Sequence, residues 1–172
     1  LLGTELNIMN ARGEIDLPDS VLERLDIAIA SIHMPCFKDE RTIDNVTAAY
    51  EKVMEHPYVD IIGHPDDGRF PVDMKSLVKK AKETGTLLEV NNSSLRPEGF
   101  RENTKENCLE MVKECKAQGV MIVLGSDSHV DADIAEYPYA EEILRETDFP
   151  EELVANVSLE KLKACIKHGK KL

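Results

Sequence analysis

Apolar residues in this chain gather into short runs separated by longer amphipathic stretches. The runs Thr4–Met9, Asp26–Ile32, Val59–Gly63, Leu87–Asn91 and Val120–Gly125 are rich in Leu, Ile and Val with little polar alternation. That composition predicts strands covered on both faces. Between them lie helix-period patterns. Thr42–Glu55 carries Ile43, Val46, Ala49, Tyr50 and Val53 at helical spacing, and Thr104–Gln118 places Cys108, Met111, Val112 and Cys115 on one stripe. Pro71–Thr84 opens on proline and stops at Gly85, the usual helix punctuation. Ile134–Glu146 and Ser158–His168 complete the predicted helices, with Ser158 a suitable N-cap. Strand–helix alternation predicts an α/β domain of parallel βα units, residues 1–172 forming one domain. The segment Asn10–Asp19 reads as a turn or small hairpin after the first strand.

Charge changes the picture of partners. Lys and Arg number 21 against 33 Asp and Glu, a formal net charge of −12. Such an excess argues against nucleic acid and against an anionic membrane surface. A small anionic substrate remains compatible if bound cations reverse the field locally. No apolar stretch approaches the ~20 residues of a membrane span, and the N-terminus lacks the form of a secretory signal. Cys36, Cys108, Cys115 and Cys165 are widely spaced with no C-x-x-C pair, so free thiols in a reducing cytoplasm are expected. The chain starts at Leu1 and enters an apolar strand almost at once, which suggests a fragment or a processed chain.

The candidate chemistry lies where strands end. Glu5 sits within the first strand. The second ends Ser31-Ile32-His33-Met34-Pro35, the third Ile62-Gly63-His64-Pro65-Asp66, the fourth Glu89-Val90-Asn91-Asn92-Ser93-Ser94, and the fifth Gly125-Ser126-Asp127-Ser128-His129. In parallel βα folds these ends converge on one face. Glu5, His33, His64, Asp127 and His129 are all oxygen or imidazole donors, a set suited to zinc, iron or manganese. In an extended segment Asp127 and His129 project to the same side. A lone histidine after a strand is more often a hydrogen-bonded loop residue. Here, however, three of the five histidines fall at strand exits. His56 and His168 fit helix C-terminal positions instead. A carboxylate at Glu5 in an apolar strand is costly without a metal or an arginine. Glu89 either orients a ligand or pairs with a lysine in the core. Asn91 leans toward the site and Asn92 toward a turn. Ser126 and Ser128 are candidates for contact with substrate or with the ligands. Ser126-Asp127-Ser128-His129 cannot adopt a nucleophile–base–acid relay, and no G-x-S-x-G elbow or phosphate-binding glycine loop is present.

These motifs, in this order, resemble the PHP (polymerase and histidinol phosphatase) family of metal-dependent phosphoesterases, and within it the YcdX-type phosphatase branch. The E-V-N-N-S-S and G-S-D-S-H runs are the specific ones, and the likeness extends from Glu5 to His168. The resemblance implies a distorted TIM-like (β/α)7 barrel with up to three metals, most often zinc, with manganese or iron as alternatives. It maps a bridging glutamate onto Glu5, strand-end histidines onto His33 and His64, and a terminal D-x-H onto Asp127 and His129. The family's H-x-H pair and the histidines around its second strand have no counterpart here. On this view the chain is a five-strand portion that begins at the third strand, with two βα units, roughly 70 residues at the usual size of such units, preceding it.

The expected function is hydrolysis of phosphate monoesters by metal-activated water, on a small phosphorylated substrate. One alternative is a catalytically incomplete metal-binding remnant that needs an upstream segment, a homo-oligomer or another chain. The other is an amidohydrolase-type metal hydrolase, disfavoured because no strand-end lysine is evident.

Overall fold

The computed structural model describes residues 1–167 of the 172. Five strands form one all-parallel sheet: β1 (Gly3–Asn7), β2 (Ile27–Ser31), β3 (Ile61–Ile62), β4 (Leu87–Asn91) and β5 (Ile122–Gly125). Their spatial order is the chain order, β1-β2-β3-β4-β5. Helices α1 (Asp19–Leu22), α2 (Ile43–Met54), α3 (Met74–Thr84), α4 (Thr104–Gln118), α5 (Pro138–Glu146) and α6 (Leu159–Cys165) fill the connections. No helix is long and apolar enough to cross a membrane, among the described residues.

Side-chain alternation sorts the strands onto two faces. Leu6, Ala28, Ala30, Ile62, Leu88, Val90 and Ile122 point toward α2–α5 and form the main core with Val46, Tyr50, Leu77, Met111 and Val112. Each Leu, Val or Ile buried there is worth about 1.5–3 kcal/mol. On the opposite face Ile61, Leu87 and Val123 pack with Ala155 and Ile166, beside Leu162 and Cys165 of α6. Glu5 is in register with Ile29, and Glu89 with Val123, so both carboxylates stand on this second face.

Local chemistry explains the element ends. Thr42 caps α2 by accepting from Asn45 N. The α3 pattern starts later than Pro71 predicts: Asp73 is the cap, its side chain accepting from Lys75 N and Ser76 N, and Pro71 lies in the preceding loop. Such a cap contributes about 1 kcal/mol. Gly85 ends α3 with φ +67°, a conformation a side chain would strain. Helix α5 begins at Pro138, not Ile134, because Asp131–Asp133 forms a separate single turn and Pro138 opens the helix proper. Helix α6 stops at Cys165, where Ile166 turns extended and packs under the sheet. The predicted continuation to His168 lies outside the described residues. The hairpin expected after β1 is present, closed by an antiparallel bridge between Ile8 and Ile15. All four cysteines are free, and Cys108 and Cys115 are buried in the core.

A candidate metal centre and its polar relay

Parallel strands put the ends of β1–β4 on one side of the sheet, and three of the predicted residues meet there. Glu5, His33 and His64 each offer a donor atom, and the three atoms lie within 4.8 Å of one another. His64 Nε2 is 3.2 Å from Glu5 Oε1 and 3.2 Å from His33 Nε2. His33 Nε2 is 3.5 Å from Glu5 Oε1. Among the described residues this is the one group of three or more such side chains that converges this way.

The protonation states suit a cation. Partial burial pushes the Glu5 carboxyl up, but the hydrogen bond and charge of His64 and the charge of His33 outweigh it, leaving a pKa of about 2. Glu5 is therefore an anion at neutral pH. Burial, followed by the charge of His64, lowers the pKa of His33, so its ring is neutral. Its tautomer follows from a chain of contacts. Asn7 Nδ2 donates to Asp16 Oδ2 at 2.6 Å, which turns Asn7 Oδ1 toward His33 Nδ1 at 2.8 Å. An amide oxygen only accepts, so His33 carries its proton on Nδ1 and its Nε2 lone pair faces Glu5 and His64. His64 Nδ1 is buried and has no partner among the described residues.

Glu5 corrects one expectation. Its side chain is 42% exposed rather than enclosed as an apolar strand suggests, although partial burial is still the largest single influence on its pKa. The buried acids are elsewhere. Glu89 is 7% exposed, and burial raises its pKa. Its Oε2 accepts from His64 N at 2.8 Å and from Asn91 Nδ2 at 3.2 Å. It thus holds the His64 backbone, which adopts φ +32°, rather than the imidazole. No lysine meets it among the described residues. Gly125 makes room for it: a Cβ there would stand 1.9 Å from Glu89 Oε1. Asp66, unremarked in the sequence, is fully buried with both oxygens unpartnered among the described residues. Burial raises its pKa to about 7, against the charges of His64 and Arg101.

Asp127 and His129 depart from the extended geometry expected of them. Asp127 has φ +47° and His129 is 89% exposed, although His129 Nε2 still lies 3.5 Å from Asp127 Oδ1. Neither joins the group of Glu5, His33 and His64. Asp127 is tied to it indirectly: Asn91 Nδ2 donates to Asp127 Oδ2 at 3.2 Å as well as to Glu89. Ser128 Oγ donates to Val130 O, so it is spent on its own loop. Ser126 stands half-buried between Gly125 and Asp127. Asn92 lies in the turn after β4, and its Oδ1 also accepts from Tyr139 N and Ala140 N at the start of α5.

Two residues of the network escaped the sequence reading. Asn7 had a signal: it lies two positions after Glu5, on the same face of β1. Arg101 had a weaker one, its place in the loop that follows the β4 end. Its Nη1 and Nη2 both donate to Asp127 Oδ2 at 3.1 Å.

No family model matches the chain. It is 45% identical over all 172 residues to a protein of Clostridium novyi named a probable phosphatase, and spans 69% of that protein. It is 42% identical over 170 residues to a probable phosphatase of Acetivibrio thermocellus, again spanning 69%. A probable phosphatase of a Thermoanaerobacter species matches at 39% over 171 residues, with 69% of its length spanned. Identity of this level over the whole chain leaves one conclusion: the chain belongs to this family of probable phosphatases.

Proposed function

We propose that the chain is the metal-holding part of a PHP-type phosphoesterase of the YcdX branch, acting on phosphate monoesters. The observation that carries this reading is the convergence of Glu5 Oε1, His33 Nε2 and His64 Nε2, with the carboxylate ionised and the His33 lone pair turned inward. Two imidazoles and a carboxylate favour zinc, with manganese or iron next. A divalent ion held there would supply Lewis-acid chemistry toward a phosphoryl oxygen and a bound water.

The chain's own residues do the rest. Glu5, His33 and His64 bind the ion. Asn7 orients His33, and Glu89 with Gly125 fixes the backbone of His64. Asp127, whose Oδ1 is clear of Arg101, and His129 are further donors that a second ion would use. The sheet supports the barrel reading. Doubly wound folds reverse their strand order at the ligand crevice. Here the order is sequential and α2 to α5 cover one face, as in consecutive βα units of a TIM-like barrel.

A second reading is a chain that holds metal without turnover by itself. What favours it is that three donors are gathered while His129 stays 89% exposed. The amidohydrolase alternative draws no support, since no lysine contacts Glu5, His33 or His64 among the described residues.

Metal per chain by elemental analysis, with p-nitrophenyl phosphate hydrolysis measured before and after chelation, tests the proposal. Stoichiometric metal and chelator-sensitive hydrolysis are expected. Metal without hydrolysis selects the second reading, and no metal overturns both.

A further inference from the structure

Arg101 lies in the loop between β4 and α4 with its side chain only 8% exposed. A guanidinium so enclosed needs acceptors. It has them along one edge. Nη1 donates to Ser94 Oγ at 2.8 Å, to Asn91 Oδ1 at 3.3 Å and to Asp127 Oδ2 at 3.1 Å. Nη2 donates to the same Asp127 oxygen at 3.1 Å. A guanidinium carries five N–H donors. The Nε hydrogen and the outer Nη2 hydrogen meet no acceptor among the described residues. Those two hydrogens are parallel, and their spacing matches two oxygens of a phosphate.

Arg69 is held by Asp67 through Nε and Nη2. Arg96 donates to Asp133 through Nη2, and its Nε is buried without an acceptor among the described residues. Arg69 and Arg101 flank the exposed ring of Phe100, at 4.9 and 5.3 Å from its centroid. Arg101 is joined to the candidate metal centre through Asn91, which donates to Glu89, the acceptor of His64 N. After burial and the charge of His64, the charge of Arg101 is among the influences that lower the His33 pKa. In a chain of net charge −12, a phosphate arriving here needs such a cation.

We propose that Arg101 is a phosphate-binding residue of this site. Asp127 and Ser94 hold its inner edge, and its Nε/Nη2 edge takes two oxygens of the substrate's phosphoryl group or of inorganic phosphate. The proposal rests on the phosphatase reading for its ligand, but not on turnover for its test.

The test uses the metal-free chain, labelled with 15N, and inorganic phosphate as the probe. The Arg101 Nε–H resonance is expected to move saturably as phosphate is added. Arg101→Lys, which keeps the charge and loses the fork, is expected to bind phosphate about 10- to 100-fold more weakly. A wild-type Arg101 resonance that does not move overturns the proposal, without reliance on the folding of any variant. So does unchanged phosphate affinity in a folded Arg101→Lys chain. Hydrolysis of p-nitrophenyl phosphate by the metal-loaded chain is followed in parallel. Turnover with an unmoved Arg101 resonance removes the clamp and leaves the phosphatase reading. A moved resonance without turnover keeps the clamp and removes hydrolysis by this chain.

Discussion

His33 Nε2 and His64 Nε2 stand 3.2 Å apart, and both lie within 3.5 Å of Glu5 Oε1. Two imidazolium rings would repel at that distance. The inward lone pair of His33 and the ionised Glu5 are stabilised by a shared cation, with His64 as the third donor. His64→Ala is therefore expected to lower bound metal from about one ion per chain to near none, by elemental analysis of protein purified without added metal. Wild-type metal content in that variant would remove His64 from the ligand set.

Asn7 decides which nitrogen of His33 is free, because Asp16 holds its amide group in one orientation. Asn7→Leu keeps the size and removes the acceptor. The variant is expected to show both His33 tautomers in 15N spectra and to bind metal about 10- to 100-fold more weakly, the usual effect of losing a partner that orients a ligand. A single unchanged tautomer would show that the ring is fixed by something else.

The fit of Gly125 against Glu89 leaves no space for a methyl group, at 1.9 Å from a carboxylate oxygen. Gly125→Ala is expected to cost about 1–3 kcal/mol in urea denaturation, the usual penalty for overpacking. Because the clash is with one side chain, Gly125→Ala with Glu89→Ala should cost less than the two single changes summed. Strict additivity would place the strain elsewhere.

Asp67 and Arg69 provide a pH test on side chains outside the ligand set, in the turn that follows His64. Burial raises the Asp67 pKa, but the hydrogen bonds and charge of Arg69 prevail and the carboxyl falls below its ordinary 3.8. A carboxyl depressed in the fold binds fewer protons there than in the unfolded chain. Its stabilisation is present above pH 3.8 and is lost as pH falls through the folded value. Asp67→Asn is expected to destabilise the protein by about 1.5–3 kcal/mol at pH 7. The gap from wild type should close as the pH drops below 3.8, followed by urea midpoints. A gap independent of pH would assign the loss to packing.

Residue pattern alone reached the α/β class, the five strands, the place of Glu5 within the first strand and the strand-end placement of His33 and His64. The reason is local. Short Val/Ile/Leu runs form covered strands, helices stop at glycine, and parallel strands put their ends on one side. The boundaries of α3, α5 and α6 shifted because caps and single turns, not apolar period, set helix ends. Tertiary structure decided what no spacing encodes. Glu5 keeps 42% of its side chain exposed although it sits in an apolar strand, and Asp127 takes φ +47° instead of an extended path. The orientation of His33 comes from Asn7 and Asp16, 26 and 17 residues before it in the chain. Arg101 reaches Asp127 from a different loop. Hydrogen bonds between distant segments depend on how the strands are brought side by side, and that information belongs to the packed sheet.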